Sequence, residues 1–478
     1  MPKTPEVEGQ RATHHPAARE VVQQLWTDVE MDDGELSNLE LTGVNSLLPS
    51  SFYVATAAQS TVACAALSAT VIGVRRGGRR PSVTVDRADV ERECMGYFEV
   101  DGRTPEQWAP LSGLYPCKDG FVRIHANFDH HRDGVLQLLD VRGRPDQVTK
   151  AKLEVALSRW GAIDFETAAA EAGLVVSAAR SFEQWDGLAA AKALEKQPLV
   201  QIEKIGEAAP LKWPRLRKDA RPLAGLRVLD LTRILAGPVC GRTLAYYGAD
   251  VLLVNSPRLP NIDAIAETSL GKLSAYIDLD DSADVDRLVN LACDAHVFVQ
   301  SYRPGGLAER GFSPSELAEI RPGIVYVSLS AYGQSGPWAA RRGFDSLVQT
   351  ATGFNVAEAN AAGNSTPKPM PFQILDYASG YLMAFGAQAA LLKQQQEGGA
   401  WHVQVSLAAT ARWLRGLGRA HFGQAVPSLG LRENLRTRAS GFGRLAAMPH
   451  AARFDGLELD PMRSSVPPGT HAARWPGV

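Results

Sequence analysis

Leu226-Arg227-Val228-Leu229-Asp230-Leu231 is a short, nearly continuous apolar run, and the loop Thr232–Pro238 leads from it into a helical pattern from about Cys240 to Tyr247. Gly248-Ala249-Asp250 then turns the chain into a second apolar run, Val251–Val254. Two more runs, Ala295–Val299 and Ile324–Ser328, each follow a helical pattern. Apolar runs of this kind mark strands buried on both faces, and their alternation with helices predicts a parallel sheet. The expected fold class is α/β: an open, parallel, Rossmann-like sheet with helices on both faces, plus a smaller α+β domain. Ligands of such sheets sit beyond the carboxyl ends of the strands. The loops after Leu231, Val299 and Leu329 are therefore where chemistry is expected.

Working outward, residues 211–221 form a basic linker with prolines before the catalytic α/β domain, 222–425. Residues 111–210 have the texture of the small α+β domain. Within it, Tyr115–Ala126 reads as two strands around the turn Asp119-Gly120, and helical patterns follow near Val148–Trp160, Phe165–Ala172 and Phe182–Glu195. Residues 1–35 read as a flexible lead, 36–110 as a partial large-domain-like segment, and 426–478 as a C-terminal return segment.

The segment 36–110 is read that way because of an internal repeat. Ala63–Gly78 and Ala384–Gly399 are both helix patterns ending in Gly-Gly, each followed by a strand, Val83-Thr84-Val85 and Val403-Gln404-Val405. The position aligned with Asp376 in the first copy is Ala55, and Ser50–Thr61 holds no acid.

Bulk composition narrows the function. The 478 residues are 45% hydrophobic and 21% charged, with a net charge of −2. That balance gives no basic face for nucleic acid. Five scattered cysteines without a CxxC pair argue against a zinc site or disulfide scaffold and fit a cytoplasmic protein. No metal is expected; Asp129-His130-His131 lacks a third ligand at suitable spacing. The loop Thr232–Pro238 lacks GxGxxG, which removes the case for a nicotinamide cofactor. Leu41–Val74 is uncharged, but Ala, Ser and Thr dominate it, so it is read as a helix buried in protein and no membrane partner is expected.

From Pro222 to Pro238 the chain closely resembles the opening of the class III CoA-transferases, the CaiB/BaiF family to which formyl-CoA transferase and α-methylacyl-CoA racemase belong. The likeness continues in order. Tyr247–Val254 resembles the second strand, Gly271-Lys272 with Ile277-Asp278-Leu279 the next conserved stretch, and Ser301-Tyr302-Arg303-Pro304-Gly305 the Asn-aromatic-Arg-Pro-Gly loop. Arg321-Pro322 to Gly336-Pro337, Gly343-Phe344-Asp345 and Ile374–Gly380 complete the series.

The resemblance implies an acyl-CoA:carboxylate CoA-transferase with Asp376 as the catalytic residue. It also implies no tightly bound cofactor, with a coenzyme A thioester as substrate and a carboxylic acid as acceptor partner. By the same resemblance Ile234 and Ala236 line the CoA path, Ser301, Tyr302 and Arg303 approach the nucleotide, Arg303 or Arg310 meets phosphate, and Tyr332 lies near the thioester. Oxyanion donors are expected beside Ser379-Gly380. From pattern alone Asp376 reads equally well as a helix N-cap before Tyr377–Leu392.

Departures keep alternatives open. Phe344 stands where the family's racemases have histidine, and phenylalanine cannot move a proton; a racemase-like isomerase would need another base, such as His402. Asn255-Ser256-Pro257 replaces an acidic position, with Arg258 as a substitute contact, so nucleotide contacts look thin and a catalytically silent CoA-binding homologue is a further alternative. The small domain precedes the catalytic segment, whereas in the family it follows. Family members are interlocked dimers; the chain is expected to hold that arrangement in a fused, one-site form, and a homodimer is also compatible.

Overall fold

The computed structural model describes residues 17–43, 46–421 and 429–477. Its centre is a seven-stranded sheet in the order Leu273–Tyr276, Asp250–Asn255, Arg227–Leu231, Val297–Gln300, Val325–Ser330, Ala400–Ser406 and Gln201–Gly206. The first six strands are parallel and the last is antiparallel. Val228, Leu229, Val251, Leu252, Val297 and Phe298 are all buried, as strands covered on both faces require. The α/β architecture expected from Leu226–Leu231 is the one observed, with three smaller three-stranded sheets beside it.

The helix after the first strand begins at Ala236, four residues earlier than the pattern suggests, and runs to Tyr246. It packs directly on the long helix Ile374–Glu397. A Cβ on Gly380 would meet the Ala236 carbonyl at 2.6 Å and Val239 Cβ at 2.9 Å, so only glycine admits this approach. Beneath the same helix lies a buried ion pair, Lys272 Nζ to Asp230 Oδ2 at 2.8 Å. Lys272 also donates to the Pro238 carbonyl at 2.9 Å. Asp230 Oδ1 accepts from the backbone N–H and the hydroxyl of Thr232. The pair therefore fastens strand end, loop and helix start into one unit.

The strands Gly113–Pro116, Phe121–Ile124 and Val176–Ala178 form an antiparallel sheet with a separate apolar core that includes Val122, Ile124, Leu153, Leu157 and Phe165. That core closes at Ala178. Trp185, Ala190, Leu194 and Val200 pack instead with the large core, and Gln201–Gly206 is an edge strand of the main sheet. The small unit thus ends about thirty residues before position 210. The cause is patterning: the helices Phe182–Asp186 and Ala189–Leu194, broken at Gly187-Leu188, present their apolar face to the larger core.

The described part of the lead is not loose. Ala18–Asp28 is a helix whose Val21, Val22, Leu25 and Trp26 form one buried face, with Trp26 stacked on Phe385 at 5.6 Å. It packs on Val54–Arg75, the one described helix long and apolar enough to cross a membrane, which here is buried against Ile374–Glu397. Both Gly-Gly ends of the repeat cap these two helices. Strand Val83–Asp86 pairs with Leu39–Thr42 and with Ala452–Phe454, and Phe98–Val100 pairs with Gly443–Ala447. The C-terminal strands therefore complete sheets begun near the N-terminus.

Candidate active site

Two cavities meet at Asp376. The first, of about 410 Å³, lies beyond the carboxyl ends of the main strands and is lined by Arg233, Ala236, Ser301, Tyr302, Arg303 and Arg342 among others. The second, of about 300 Å³, lies between the small unit and the large one, with Arg123, His125, Met370 and Phe372 in its wall. Ile234, Leu235, Phe344 and Asp376 line both. Phe128 and His131 of the small unit also reach the first cavity, so the site is closed by two units of one chain.

Asp376 is buried in the first turn of Ile374–Glu397. The N-cap is Gln373, and Asp376 is already inside the helix, so the N-cap reading falls away. The capping role belongs to Asp345, fully buried at the start of helix Asp345–Ala351. Its Oδ2 accepts from the Asp376 backbone N–H at 2.9 Å, and its Oδ1 accepts from the Gln349 amide. Burial pushes the Asp345 carboxyl up to about 7, against the lowering effect of those donors and of Arg123. Asp376 is raised well above the usual carboxylate range, first by burial and then by the charge of Asp345. Two neighbouring carboxyls that cannot both ionise easily are a frequent arrangement in catalytic sites.

Ile234 has φ of 76°, a left-handed backbone that a β-branched residue rarely adopts. Such strain persists only where surrounding structure imposes it, and functional sites are where it collects. Here it sits on the wall shared by the cavities.

Ile234, Ala236, Ser301, Tyr302 and Arg303 are thus brought together with Asp376, as expected. Arg310 is not. Its guanidinium is taken by Asp280 at 2.7 Å and by the Leu279 carbonyl, away from either cavity. Tyr332 is buried but points into packing with Trp185 and Trp338, its hydroxyl 3.4 Å from that of Ser177. Arg258 is bound by Asp278 and Asp280. Ser379-Gly380 lies one turn inside the helix, with Ser379 hydrogen-bonded to Thr410, so it offers the cavities no oxyanion donor.

His402 is held by Ser328 at 2.8 Å, outside both cavities, and burial lowers it to about 4. His131 accepts from Arg342. Burial raises the Cys240 thiol far above its ordinary range, which leaves it a packing residue.

The first cavity holds more arginines than the sequence singled out: Arg233, Arg341 and Arg342 line it beside Arg303. Arg303 and Arg342 are exposed at the first cavity and close enough for their charges to repel, which lowers Arg342 after burial does. Arg233 stacks over Phe128 at 5.6 Å, and Arg341 is engaged by Trp338 and Glu166. The signal in the sequence was Arg341-Arg342 immediately before Gly343-Phe344-Asp345.

Residues 223–430 match CoA-transferase family III. This stretch of the chain belongs to that family. The family III segment supplies Asp376, Asp345, the Ile234 turn and the arginine-bearing loops; Arg123, His125 and His131 come from outside it. An acyl-CoA transferase from Gibberella moniliformis (strain M3125 / FGSC 7600) is 33% identical over 364 residues, 68% of this chain and 64% of that protein. Acetyl-coenzyme A transferase nodX of Hypoxylon pulicicidum is 30% identical over 331 residues, 64% of this chain and 55% of that protein. A solved CAIB/BAIF family protein from Brucella suis is 25% identical over 47% of this chain and 65% of that one, with a TM-score of 0.38. The chain therefore spans a little over half to just under two-thirds of the length of these relatives.

Proposed function

We propose that the protein is an acyl-CoA:carboxylate CoA-transferase with Asp376 as nucleophile. One observation carries the reading. Of the four residues shared by the two cavities, Ile234, Leu235 and Phe344 have no reactive group, and Asp376 is a carboxylate. The cationic first cavity suits the phosphates of CoA, since charge-assisted bonds from arginine are strong. The second cavity then takes the acyl group, and the thioester carbon lies at Asp376 between them.

In this reading the Asp376 carboxylate attacks the thioester carbonyl, forming a mixed anhydride and expelling CoA thiolate. The thiolate attacks the aspartyl carbonyl, releasing the donor acid and leaving an aspartyl-CoA thioester. The acceptor carboxylate attacks that thioester, giving a second anhydride and free thiolate. Attack of the thiolate on the acceptor's carbonyl yields the new acyl-CoA and restores Asp376. Each step exchanges one acyl bond for another, and covalent catalysis divides a hard exchange into easier ones. The first-turn N–H of Ala236, which lines the first cavity and has no intrahelical acceptor, supplies an oxyanion donor.

The test is incubation with acyl-CoA followed by hydroxylamine and peptide mapping. A hydroxamate at Asp376 is expected. Its absence, with CoA still bound, would mean a silent CoA-binding protein. Counting bound acyl-CoA addresses the fused arrangement: one per chain is expected, and two would overturn it.

A second reading, an α-carbon epimerase, has one observation in its favour. His125 stacks on Phe344 at 4.1 Å and lines the second cavity with Asp376, its Nδ1 unpartnered. Burial holds His125 down at about 3, which makes it a weak base, and so transfer is preferred. Deuterium uptake at the α-carbon in D2O would reverse that preference.

A further inference from the structure

Arg123 sits on strand Phe121–Ile124, in register with Leu114 and Ser177 on either side. The residue is only 7% exposed. Its Nε has no hydrogen-bond partner, and among the described residues no ion pair reaches its guanidinium. The other deeply buried cations are partnered: Arg242 by Glu93, Lys272 by Asp230, Arg180 by Glu166, and Arg76 by the carbonyls of Pro214, Pro222 and Ala224. What holds Arg123 in place is the face of Trp108, 4.8 Å from the guanidinium carbon. The Asp345 carboxyl acts on Arg123 through space without forming an ion pair, and a buried charge so weakly compensated costs several kcal/mol. A desolvated cation left open to a cavity is what an anionic ligand would complete.

The surroundings say which anion. Among the described residues, Arg123 is the one Arg or Lys lining the second cavity. Of the acids there besides Asp376, Glu106 and Asp263 are exposed at the rim, and Glu267 is held by Arg242. The rest of the wall is largely apolar, with Met95, Phe98, Met370 and Phe372. The phosphates of CoA are accounted for on the other side of Asp376. An acyl chain anchored at Asp376 and entering this cavity meets apolar wall first and a guanidinium beyond it.

We infer that Arg123 receives the distal carboxylate of the acyl group, so that short dicarboxylic acids and their mono-CoA thioesters are the substrate class of this site. The inference rests on the transferase reading and deepens it. Arg123 is a specificity residue: it binds the end of the substrate that does not react. Its charge also acts on Asp345, so a merely electrostatic role in the carboxyl pair must be separated from recognition.

The experiment compares CoA exchange into succinate with butyrate, and into glutarate with pentanoate, in the wild-type protein and in R123M and R123K. A charge-assisted pair in a desolvated site predicts a wild-type preference in kcat/KM of about 100-fold for each diacid. R123M should lower the diacid-to-monoacid ratio by at least about 30-fold, chiefly through KM for the diacid, with R123K intermediate. An equal loss for both classes in R123M would assign Arg123 to the carboxyl pair or to the reacting carboxylate and overturn the inference. So would a wild-type protein that prefers neither class, a result that stands even if the variants fail to fold. Exchange and hydroxamate formation with monoacids alone would sink the inference and leave the transferase reading intact. No exchange and no hydroxamate with either class would sink the transferase reading, and the inference with it.

Discussion

The Asp345 carboxylate caps the helix that carries Asp376, accepting the Asp376 backbone N–H at 2.9 Å while its charge raises the Asp376 side chain. One residue thus fixes the position of Asp376, the proposed nucleophile, and tunes its protonation.

Stability should run opposite to function at this pair. Both carboxyls are raised in the folded state above the ordinary 3.8 of an aspartic acid, Asp345 to about 7. Between those limits the folded chain holds more protons than the unfolded one, so stability falls as pH rises. Asp376→Asn removes one member of the pair. Melting temperature should rise relative to wild type at pH 7 to 8, by the equivalent of about 1 kcal/mol or more, and the difference should shrink toward pH 4. Thermal unfolding across pH measures this. The same variant should form no hydroxamate.

The pH profile carries a second consequence. In the proposed mechanism Asp376 attacks as a carboxylate, so kcat/KM should fall on the acid side with a limb well above the ordinary carboxylate range. Asp345→Asn keeps an oxygen to cap the helix but removes the neighbouring charge, and should move that limb to lower pH. A limb unmoved in D345N would show that burial alone sets it.

Arginines at the first cavity should separate by their present partners. Arg342 and Arg303 lie close enough for their charges to repel, and among the described residues no ion pair engages either, whereas Arg341 is engaged by Glu166 at 3.6 Å. R342A should raise KM for acyl-CoA about tenfold with a weakened dependence on salt, as loss of one charge-assisted contact implies. R341A should have the smaller effect on KM.

Beneath the helix Ala236–Tyr246 the packing permits no added atoms. A Cβ at Gly241 would fall 2.1 Å from Asp230 Oδ2 and 2.9 Å from Lys272 Nζ. G241A should destabilise the protein by about 2 kcal/mol or more, and K272M by about 3–5 kcal/mol, because Asp230 would be left buried and unpaired. Chemical denaturation gives both values.

The parallel sheet was legible because Val228–Leu231 and Val251–Val254 are apolar on both faces, a pattern set by local burial. Asp376 was singled out by an ordered series of motifs and is placed where the two cavities meet, whereas periodicity alone made it a helix cap. The true cap, Asp345, could not be read: it lies thirty-one positions away and acts through a backbone N–H. Arg123 was hidden for a related reason. It stands in an ordinary alternating strand, and only the docking of two units exposes its lack of a partner. Tyr332 and Arg310 misled because residue type and loop position say nothing about which neighbour claims the side chain first. The helix Ala18–Asp28 was missed because the polar sequence ahead of it coloured the reading of the whole lead.

The pairing of Ala452–Phe454 with Val83–Asp86, and of Gly443–Ala447 with Phe98–Val100, has a temporal side. During synthesis the early strands emerge long before their partners exist, and contacts between distant parts of a chain are slow to close. The uncharged helix Val54–Arg75 must wait as well for Ile374–Glu397 to cover it. A nascent chain of this protein therefore holds one apolar face of this helix uncovered until residues 374–397 emerge, and a chain ended before them would keep that half-built state as its end product.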